Sequence, residues 1–416
     1  MKATTGVVRR GPGGKSTMRL KFSGVVAGAL GLAVALAGCG STSNVSSTTA
    51  AAPSGAANVS FGSANQKLCS SSVNTTPNYK NTIGTVSGGA SAISGAGSTF
   101  AAPMYSDWAS AYDKASGVAV AYASIGSGGG VAAIQAETLN FGDSDSGMTP
   151  ADISAAKGGP ILQIPLLLGA VVPTYNLPGI PAGLKFTGNV LGEIFAGKIT
   201  NWDDPALKAL NPGVKLPNMP IAVAHRSDGS GTTNIFTNYL TQTSPTWVSK
   251  LGGPSKSTGL TVAWPVGIGG KGNEGVSAVV GQTKGALGYL ESDYAISEHL
   301  TYGQVENKSG NFIEPCIPSI IPAVDGVTFP PSLNTFLTNG SNANVYPIVG
   351  TTYALVYEHQ TSRAIAAGLV NFFSWVLSTG QNSNASLYYA PLGSSLQALA
   401  LAQLKKITVN GQPVAS

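Results

Sequence analysis

The sequence predicts an α/β protein with largely parallel sheets. Short apolar segments of strand type alternate with segments of helical periodicity from about residue 92 to the C-terminus. One near-continuous apolar run, ILQIPLLLGAVVPTY at 161–175, is typical of a strand buried on both faces. The chain has 416 residues, 43% of them hydrophobic, which is enough for two domains with cores of their own.

The individual elements follow from these patterns. Strands are predicted in VAVAYASIG (118–126), the run 161–175, MPIAVAHR (219–226), the start of GALGYLESDYA (285–295), where a turn follows, and YPIVGTTYALVYEH (346–359). Helices are predicted in VAAIQAETL (131–139), TTNIFTNYL (232–240) and SRAIAAGLVNFFSWVLSTGQ (362–381).

The first 38 residues have the composition of an export signal. They hold six of the 23 Lys and Arg residues and no Asp or Glu, and they end in an apolar stretch at 25–38 that is too short for a transmembrane helix. The stretch stops at Leu-Ala-Gly-Cys, which resembles a bacterial lipobox. We therefore predict a lipoprotein signal peptide at 1–38 and lipidation of Cys39, which anchors the protein at the outer face of the cell membrane. An ordinary signal peptide followed by a chance cysteine is the alternative.

The mature chain is close to neutral and carries two further cysteines. It has 17 basic and 18 acidic residues, which gives no electrostatic support for nucleic-acid binding. Residues 39–87, rich in Ser, Thr, Ala, Asn and Gly, are predicted to be a lipid-anchored flexible linker. Cys69 and Cys316 form either a disulfide or two separate buried thiols. Neither the cysteines nor the three histidines show metal-ligand spacing, so no metal and no cofactor is expected.

A strand, a turn rich in Gly, Ser and Thr, and a helix follow one another at three places. These are ISGAGSTFAAPMYSDWASAY (93–112), IGSGGGVAAI (125–134) and RSDGSGTTNIF (226–236). The start of each helix presents N–H groups without an intrahelical acceptor and the positive end of the helix dipole. Taken singly, each is explained equally well by ordinary helix capping. If all three converge, they form a cage for an anion.

Two charged positions indicate which anion the cage would hold. Arg226 is a permanent cation with bidentate geometry toward an oxyanion. Asp145, in FGDSDSGM, only accepts hydrogen bonds when ionised, so it accepts from a protonated anion such as phosphate and repels sulfate, which has no proton to donate. Asp228 is predicted to pair with Arg226 and fix its plane, with a simple Asx turn as the alternative.

Five motifs together resemble a known family. GAGSTFAAP, IGSGGG, FGDSD, RSDGSGTT and WPVGIGGKGNEG, in this order, are similar to the motifs of PstS, the periplasmic phosphate-binding proteins of the phosphate-specific ABC transporter. The resemblance implies a two-lobed periplasmic-binding-protein fold of type II with a hinge, lobe 1 taking residues 88–168 and 345–416 and lobe 2 taking residues 169–344. It also implies the phosphate ligands Thr99, Phe100 through its backbone N–H, Ser127, Asp145, Arg226, Ser230, Gly231 and Thr232, with Asp228 orienting Arg226.

Asp143 and the GIGGKG segment do not follow directly from the motifs above. FGDSD departs from the family pattern, since Asp143 replaces the usual small residue and either adds a charge beside the site or faces solvent. GIGGKG (267–272) satisfies the dinucleotide-binding pattern GxGxxG. However, we find no acidic residue in the context that binding the ribose of a dinucleotide would require. We interpret it as a glycine-rich loop of the second lobe.

The sequence thus predicts a monomeric, high-affinity inorganic phosphate-binding lipoprotein and not an enzyme. It would deliver phosphate to the membrane permease and ATPase subunits of an ABC importer. The nearest alternative is a binding protein for another protonated tetrahedral oxyanion such as arsenate. A phosphatase is disfavoured because the chain has no GxSxG motif and no evident nucleophile–base pair. A surface adhesin or signalling lipoprotein that keeps the fold without the ligand is the third alternative.

Overall fold

A computed structural model describes residues 67–75 and 78–415 of the chain. The predicted signal peptide, Cys39 and the linker as far as residue 66 lie outside the described residues. None of the helices in the described ranges is long and apolar enough to span a bilayer.

The described residues alternate between strands and helices. The strands are β1 (Ala92–Gly97), β2 (Ala119–Ser124), β3 (Phe141–Ser144), β4 (Ile161–Tyr175), β5 (Lys185–Phe186), β6 (Ala222–Arg226), β7 (Ile268–Gly270), β8 (Ala286–Glu291), β9 (Thr301–Tyr302), β10 (Gln304–Glu306), β11 (Phe312–Ile313), β12 (Val349–Tyr357), β13 (His359–Gln360), β14 (Thr408–Val409) and β15 (Gln412–Pro413).

Helices connect many of these strands. They are α1 (Ala102–Ser116), α2 (Ser127–Gln135), α3 (Pro150–Ser154), α4 (Gly188–Phe195), α5 (Pro205–Leu210), α6 (Gly231–Thr243), α7 (Pro245–Leu251), α8 (Gly272–Gln282), α9 (Ser292–Ser297), α10 (Ile317–Ile320), α11 (Arg363–Val376) and α12 (Ser394–Leu404). Three 3₁₀ segments occupy Pro254–Lys256, Ile321–Val324 and Thr379–Leu387.

Nine of the described strands form one mixed sheet. Its order is β2-β1-β3-β12-β4-β8-β6-β7, and β9 also pairs with β4. At one end β1 is parallel to β2 and β3, and at the other end β6 is parallel to β7 and β8. The centre is antiparallel, because β12 returns from the C-terminal part of the chain to pair with β3 and β4. The expectation of largely parallel sheets is therefore wrong for the middle of the sheet.

Strand β4 joins the two halves of the molecule. Residues 161–170 pair with β12, and residues 171–175 pair with β8. All fifteen residues of the strand are buried, as the uninterrupted apolar run predicts. The β1-β2-β3 end and the β6-β7-β8 end of the sheet are thus the two lobes of the predicted two-lobed α/β fold.

The strongest predicted helix, α11, packs against the first lobe. Leu369, Phe372, Phe373 and Val376 are buried in the core at the expected helical spacing. Ser362 caps the helix by accepting a hydrogen bond from the Ile365 backbone N–H. The spacing of the apolar residues thus determined both the helix and the face that it buries.

Two segments fold differently from their predictions. The GIGGKG segment is not a loop, since it forms strand β7 and the start of helix α8. The segment after β8, predicted to be a turn, forms helix α9. Glu291 caps that helix by accepting from the Asp293 backbone N–H, so an acidic residue that fits a turn acts as an N-cap.

The folded part of the chain begins before the end of the predicted linker. Cys69 and Cys316 form a disulfide, so the pairing that the sequence left open is present in the structure. Ile83 is buried, and the Val86 backbone N–H donates to Asn371 of helix α11 at 2.8 Å. The linker prediction is therefore wrong for residues 78–87, where apolar side chains dock onto the first lobe despite the polar composition around them.

Candidate functional site

Four helix starts meet where the two ends of the sheet face each other. Helices α1 and α2 follow β1 and β2 in the first lobe, and α6 and α8 follow β6 and β7 in the second. Parallel strands place their carboxyl ends at the same edge, so α1 and α2 begin side by side, and so do α6 and α8. Because β6 runs antiparallel to β1, the two pairs of helix starts face each other. The sequence predicted three of these starts, and α8, hidden in the GIGGKG motif, is the fourth.

The two lobes approach each other closely at glycines. The Gly128 N–H, in α2, donates to the Gly229 carbonyl, which precedes α6, at 2.9 Å. Gly126 has φ +84°, and a Cβ at this position would lie 2.4 Å from Asp228 Oδ2. A Cβ on Gly231 would lie 2.5 Å from Asp145 Cβ. No larger residue fits at either position without moving the lobes apart.

Arg226 and Asp228 form a bidentate ion pair just before the start of helix α6. Arg226 Nε donates to Asp228 Oδ1 at 2.8 Å, and Nη2 donates to Oδ2 at 2.6 Å. The arginine side chain is only 1% exposed. Burial alone would raise the pKa of Asp228, but the hydrogen bonds and charge of Arg226 hold that pKa below its usual range. Asp228 thus stays ionised and fixes the guanidinium plane, with Nη1 directed toward Thr232 at 3.5 Å.

Asp145 lies across the cleft from Arg226 and is almost completely buried. Ser98 donates to its Oδ1 at 2.5 Å and Ser127 to its Oδ2 at 3.3 Å. Burial raises the pKa of Asp145 to about 6, against the opposing effects of these serines, Thr352 and Arg226. At neutral pH the group is mainly an ionised acceptor, and in mild acid it takes up a proton.

Asp143 does not face solvent, so that alternative is wrong. Its side chain is fully buried and accepts hydrogen bonds from the Tyr105 hydroxyl at 2.8 Å and from Thr352 Oγ1 at 2.5 Å. Burial, reinforced by the charge of Asp145, holds the pKa of Asp143 well above its usual range. The extra carboxyl therefore favours its neutral form beside the site.

The remaining predicted site residues belong to the same network. Thr99 and Thr232 both accept from Asn273, at 2.9 and 3.3 Å. Ser230 caps α6 by accepting from the Thr233 N–H at 3.0 Å, which leaves the hydroxyl hydrogen of Ser230 free to point elsewhere. The structure brings the predicted set together around one cleft: Thr99, Phe100, Ser127, Asp145, Arg226, Asp228, Ser230, Gly231 and Thr232.

Two of these residues use polar atoms for contacts within the protein. The Ser127 hydroxyl is directed at Asp145, so the start of α2 offers its backbone N–H groups to a ligand rather than this hydroxyl. The Phe100 ring is buried against Tyr389, and its carbonyl accepts from the Tyr389 hydroxyl at 2.5 Å.

Two residues of the site were missed at the level of sequence. Asn273 follows GIGGKG within a motif that carried the family resemblance, but the interpretation of that segment as a loop hid its place at a helix start. Ser98 precedes Thr99, and the sequence does not show which of two adjacent hydroxyls faces a carboxylate. The strand–glycine–helix pattern around residues 268–273 could have predicted a helix start that places Asn273 at the site.

The histidine next to Arg226 is turned away from the guanidinium. The His225 ring stacks on Trp264 with centroids 4.9 Å apart, and its Nδ1 lies 3.0 Å from the Arg226 carbonyl, so it points away from the guanidinium. Within residues 67–75 and 78–415, no group of three His, Cys, Asp or Glu side chains is placed to hold a metal ion.

The chain is similar to known proteins over most of its length. Residues 42–379 match the model of the PBP superfamily domain. A phosphate-binding protein PstS of Xylella fastidiosa is 39% identical over 307 residues, which are 73% of this chain and 82% of that protein. The chain belongs to the PstS family. A PstS of Pasteurella multocida is 41% identical over 306 residues, covering 73% of this chain and 87% of that protein.

A solved structure shows the same fold at low sequence identity. A high affinity periplasmic phosphate-binding protein bound with phosphate superposes with a TM-score of 0.60 at 20% identity, covering 74% of this chain and 93% of that protein. The two-lobed α/β architecture of the PstS family is therefore present in this chain.

Proposed function

We propose that this chain binds inorganic phosphate between its two lobes and delivers it to an ABC importer. The observation that carries the proposal is Asp145, a buried carboxylate placed opposite Arg226 among the starts of four helices. Helix starts and an arginine attract any oxyanion, whereas an ionised carboxylate accepts only one that still has a hydrogen to donate. Monobasic and dibasic phosphate have such a hydrogen, and sulfate does not.

The roles of the site residues follow from their contacts. Arg226, held in plane by Asp228, would supply the positive charge and a bidentate donor edge. Thr99, Ser230 and Thr232 would donate through their hydroxyls, and Phe100, Ser127 and Gly231 through backbone N–H groups at or near helix starts. Hydrogen bonds to a charged group contribute about 1.5–3 kcal/mol each, so several of them account for tight binding before the cost of lobe closure.

The transport cycle would use the two-lobed fold. Phosphate would bind while the lobes, proposed at 88–168 with 345–416 and at 169–344, are apart, and β4 and β12 would act as the hinge region. The closed protein would dock on a membrane permease driven by ATPase subunits. Lipidation at Cys39 would keep the mature monomer at the outer face of the cell membrane, within reach of the permease.

Titration calorimetry with phosphate, sulfate and arsenate tests the binding proposal. We expect saturable heat with phosphate at pH 8 and none with sulfate at the same concentration. Arsenate, which also carries a proton, should bind. The ratio of the arsenate affinity to the phosphate affinity measures how strongly the cleft discriminates between anions of different size. Heat with sulfate and none with phosphate would overturn the proposal, because Asp145 would then not select for a hydrogen.

The membrane anchor is tested separately. Wild-type protein expressed in cells should partition into the detergent phase after extraction, and a Cys39→Ser variant should not. Recovery of the wild-type protein in the aqueous phase would contradict lipidation at this cysteine.

A further inference from the structure

Asn273 touches one threonine of each lobe. It is fully buried at the start of α8. Its Nδ2 donates to Thr99 Oγ1 at 2.9 Å and to Thr232 Oγ1 at 3.3 Å, and its backbone N–H also donates to Thr99 Oγ1 at 3.2 Å. Thr99 lies between β1 and α1, whereas Thr232 lies in α6, so a single amide group bridges the cleft.

The orientation of this amide is set by the neighbouring strand. The backbone N–H of Glu291, the last residue of β8, donates to Asn273 Oδ1 at 3.3 Å. If the amide were flipped, its NH₂ group would face that N–H, and two donors would oppose each other in a buried position. Both amide hydrogens of Asn273 are therefore directed at the two threonines.

The hydrogen bonds that the two threonine hydroxyls accept leave each of them only its hydrogen for a further contact. A hydroxyl oxygen has two acceptor lone pairs and one hydrogen. Thr99 Oγ1 accepts from two nitrogens of Asn273, and Thr232 Oγ1 accepts from Asn273 and from Arg226 Nη1 at 3.5 Å. None of these donor groups can accept a hydrogen bond in return. Each hydroxyl hydrogen must then point to a third partner, as a donor.

We infer that Asn273 is a positioning residue that holds Thr99 and Thr232 as hydrogen-bond donors toward the bound oxyanion. This inference rests on the proposed phosphate binding. Asn273 acts through the two threonines and need not touch the ligand. The two hydroxyls, one from each lobe, are thereby oriented before the anion arrives, so no reorientation is required when the cleft closes.

Asn273→Ala is the direct test, read by phosphate calorimetry at pH 8. With the amide removed, both hydroxyls can rotate and donate to other acceptors. We expect phosphate affinity to fall about tenfold or more, the effect of weakening two hydrogen bonds to a charged ligand. Circular dichroism and thermal melting establish that the variant is folded. If it is not, Asn273→Ser, which keeps one side-chain donor, replaces it.

A double-mutant cycle separates positioning from a simple tie between the lobes. Thr232 and Asn273 lie in the same lobe, so their contact does not cross the cleft. We expect the loss caused by Asn273→Ala to shrink to about threefold in a Thr232→Val background, because part of its action passes through that hydroxyl. Tyr294→Phe is the matched control, since it removes only the hydroxyl that donates to the Thr99 carbonyl at 2.6 Å. Its effect should be the same in both backgrounds.

The outcomes distinguish this inference from the proposed function. If the parent protein gives no heat with phosphate, the proposed function fails. If the parent binds and Asn273→Ala binds equally well, or loses the same factor with and without Thr232→Val, the positioning role is overturned and phosphate binding stands.

Discussion

Protonation of Asp145 should let the cleft bind sulfate. The carboxylate is buried and its pKa is raised to about 6, which lies inside a range where binding can be measured. In the proposed site, ionised Asp145 would repel sulfate, because it can only accept hydrogen bonds. Protonated Asp145 has a hydrogen of its own and can donate it to a sulfate oxygen. Lowering the pH from 8 to 5 should therefore turn a repulsive contact between Asp145 and sulfate into a hydrogen bond, with no change in the amino-acid sequence.

The magnitude follows from the fraction of protein that carries the proton. With a pKa of about 6, Asp145 is protonated in about 1% of molecules at pH 8 and in about 90% at pH 5. If only the protonated form binds sulfate, the apparent affinity scales with that fraction, so it rises about 90-fold between the two pH values. Sulfate is the better probe because its charge stays constant over this range, whereas phosphate titrates.

Calorimetry with sulfate at half-unit pH steps measures this change in affinity. The Asp145→Asn variant is the matched control, since its amide carries donors at every pH and its sulfate affinity should not follow this titration. Sulfate affinity that is flat from pH 8 to pH 5 in the wild-type protein, or that falls, would refute the assignment of Asp145 as the group that senses the ligand's hydrogen.

Three further predictions concern charge, the disulfide and pH stability. Arg226→Lys should weaken phosphate binding about 100-fold by calorimetry, because lysine has no planar fork to pair with a carboxylate and an oxyanion at once; an unchanged affinity would show that a point charge suffices. Replacing Cys69 and Cys316 by serine should lower the free energy of unfolding by about 2–5 kcal/mol in denaturant titrations and leave phosphate affinity unaltered, since the bridge closes a loop of 247 residues away from the cleft. The unliganded protein should melt at a higher temperature at pH 5 than at pH 8. The pKa values of the buried Asp143 and Glu291 carboxyls are raised in the folded protein, so the folded state holds their protons more tightly than the unfolded state does. The stability that this contributes is fully present below the pKa values of the unfolded state and is lost as pH rises through the pKa values of the folded state. Asp143→Asn should reduce this difference in melting temperature, and a protein more stable at pH 8 would contradict the raised pKa values.

Much of the fold was predictable because local and tertiary preferences agree. The run at 161–175 became strand β4 with the predicted bounds, since fifteen residues almost free of polar side chains can only be buried. Helix α11 kept its apolar face for the same reason. The segment at 267–272 was predicted incorrectly, because four glycines in six residues carry no periodicity from which a strand or helix could be recognised.

The candidate site was predictable only as a set of residue types. Arg226 and Asp228 are two residues apart at a helix start, so their pairing is a local matter and was predicted from the sequence. The position of Asp143 was not, because its burial against Tyr105 and Thr352 depends on helix α1 and strand β12, which are distant from it in the chain. The same holds for the disulfide, whose cysteines are separated by 247 residues.

The sequence by itself determined the alternation of strands and helices, three of the four helix starts, and the presence of an arginine and a carboxylate beside them. Each of these depends on neighbours within a few positions. Only the tertiary structure decided that β12 returns antiparallel to join the lobes, that Gly126 and Gly231 allow the lobes to touch, and that Asn273 faces a threonine on either side. These arrangements depend on the packing of strands that lie far apart in the chain, and no local pattern records which side chains will meet there.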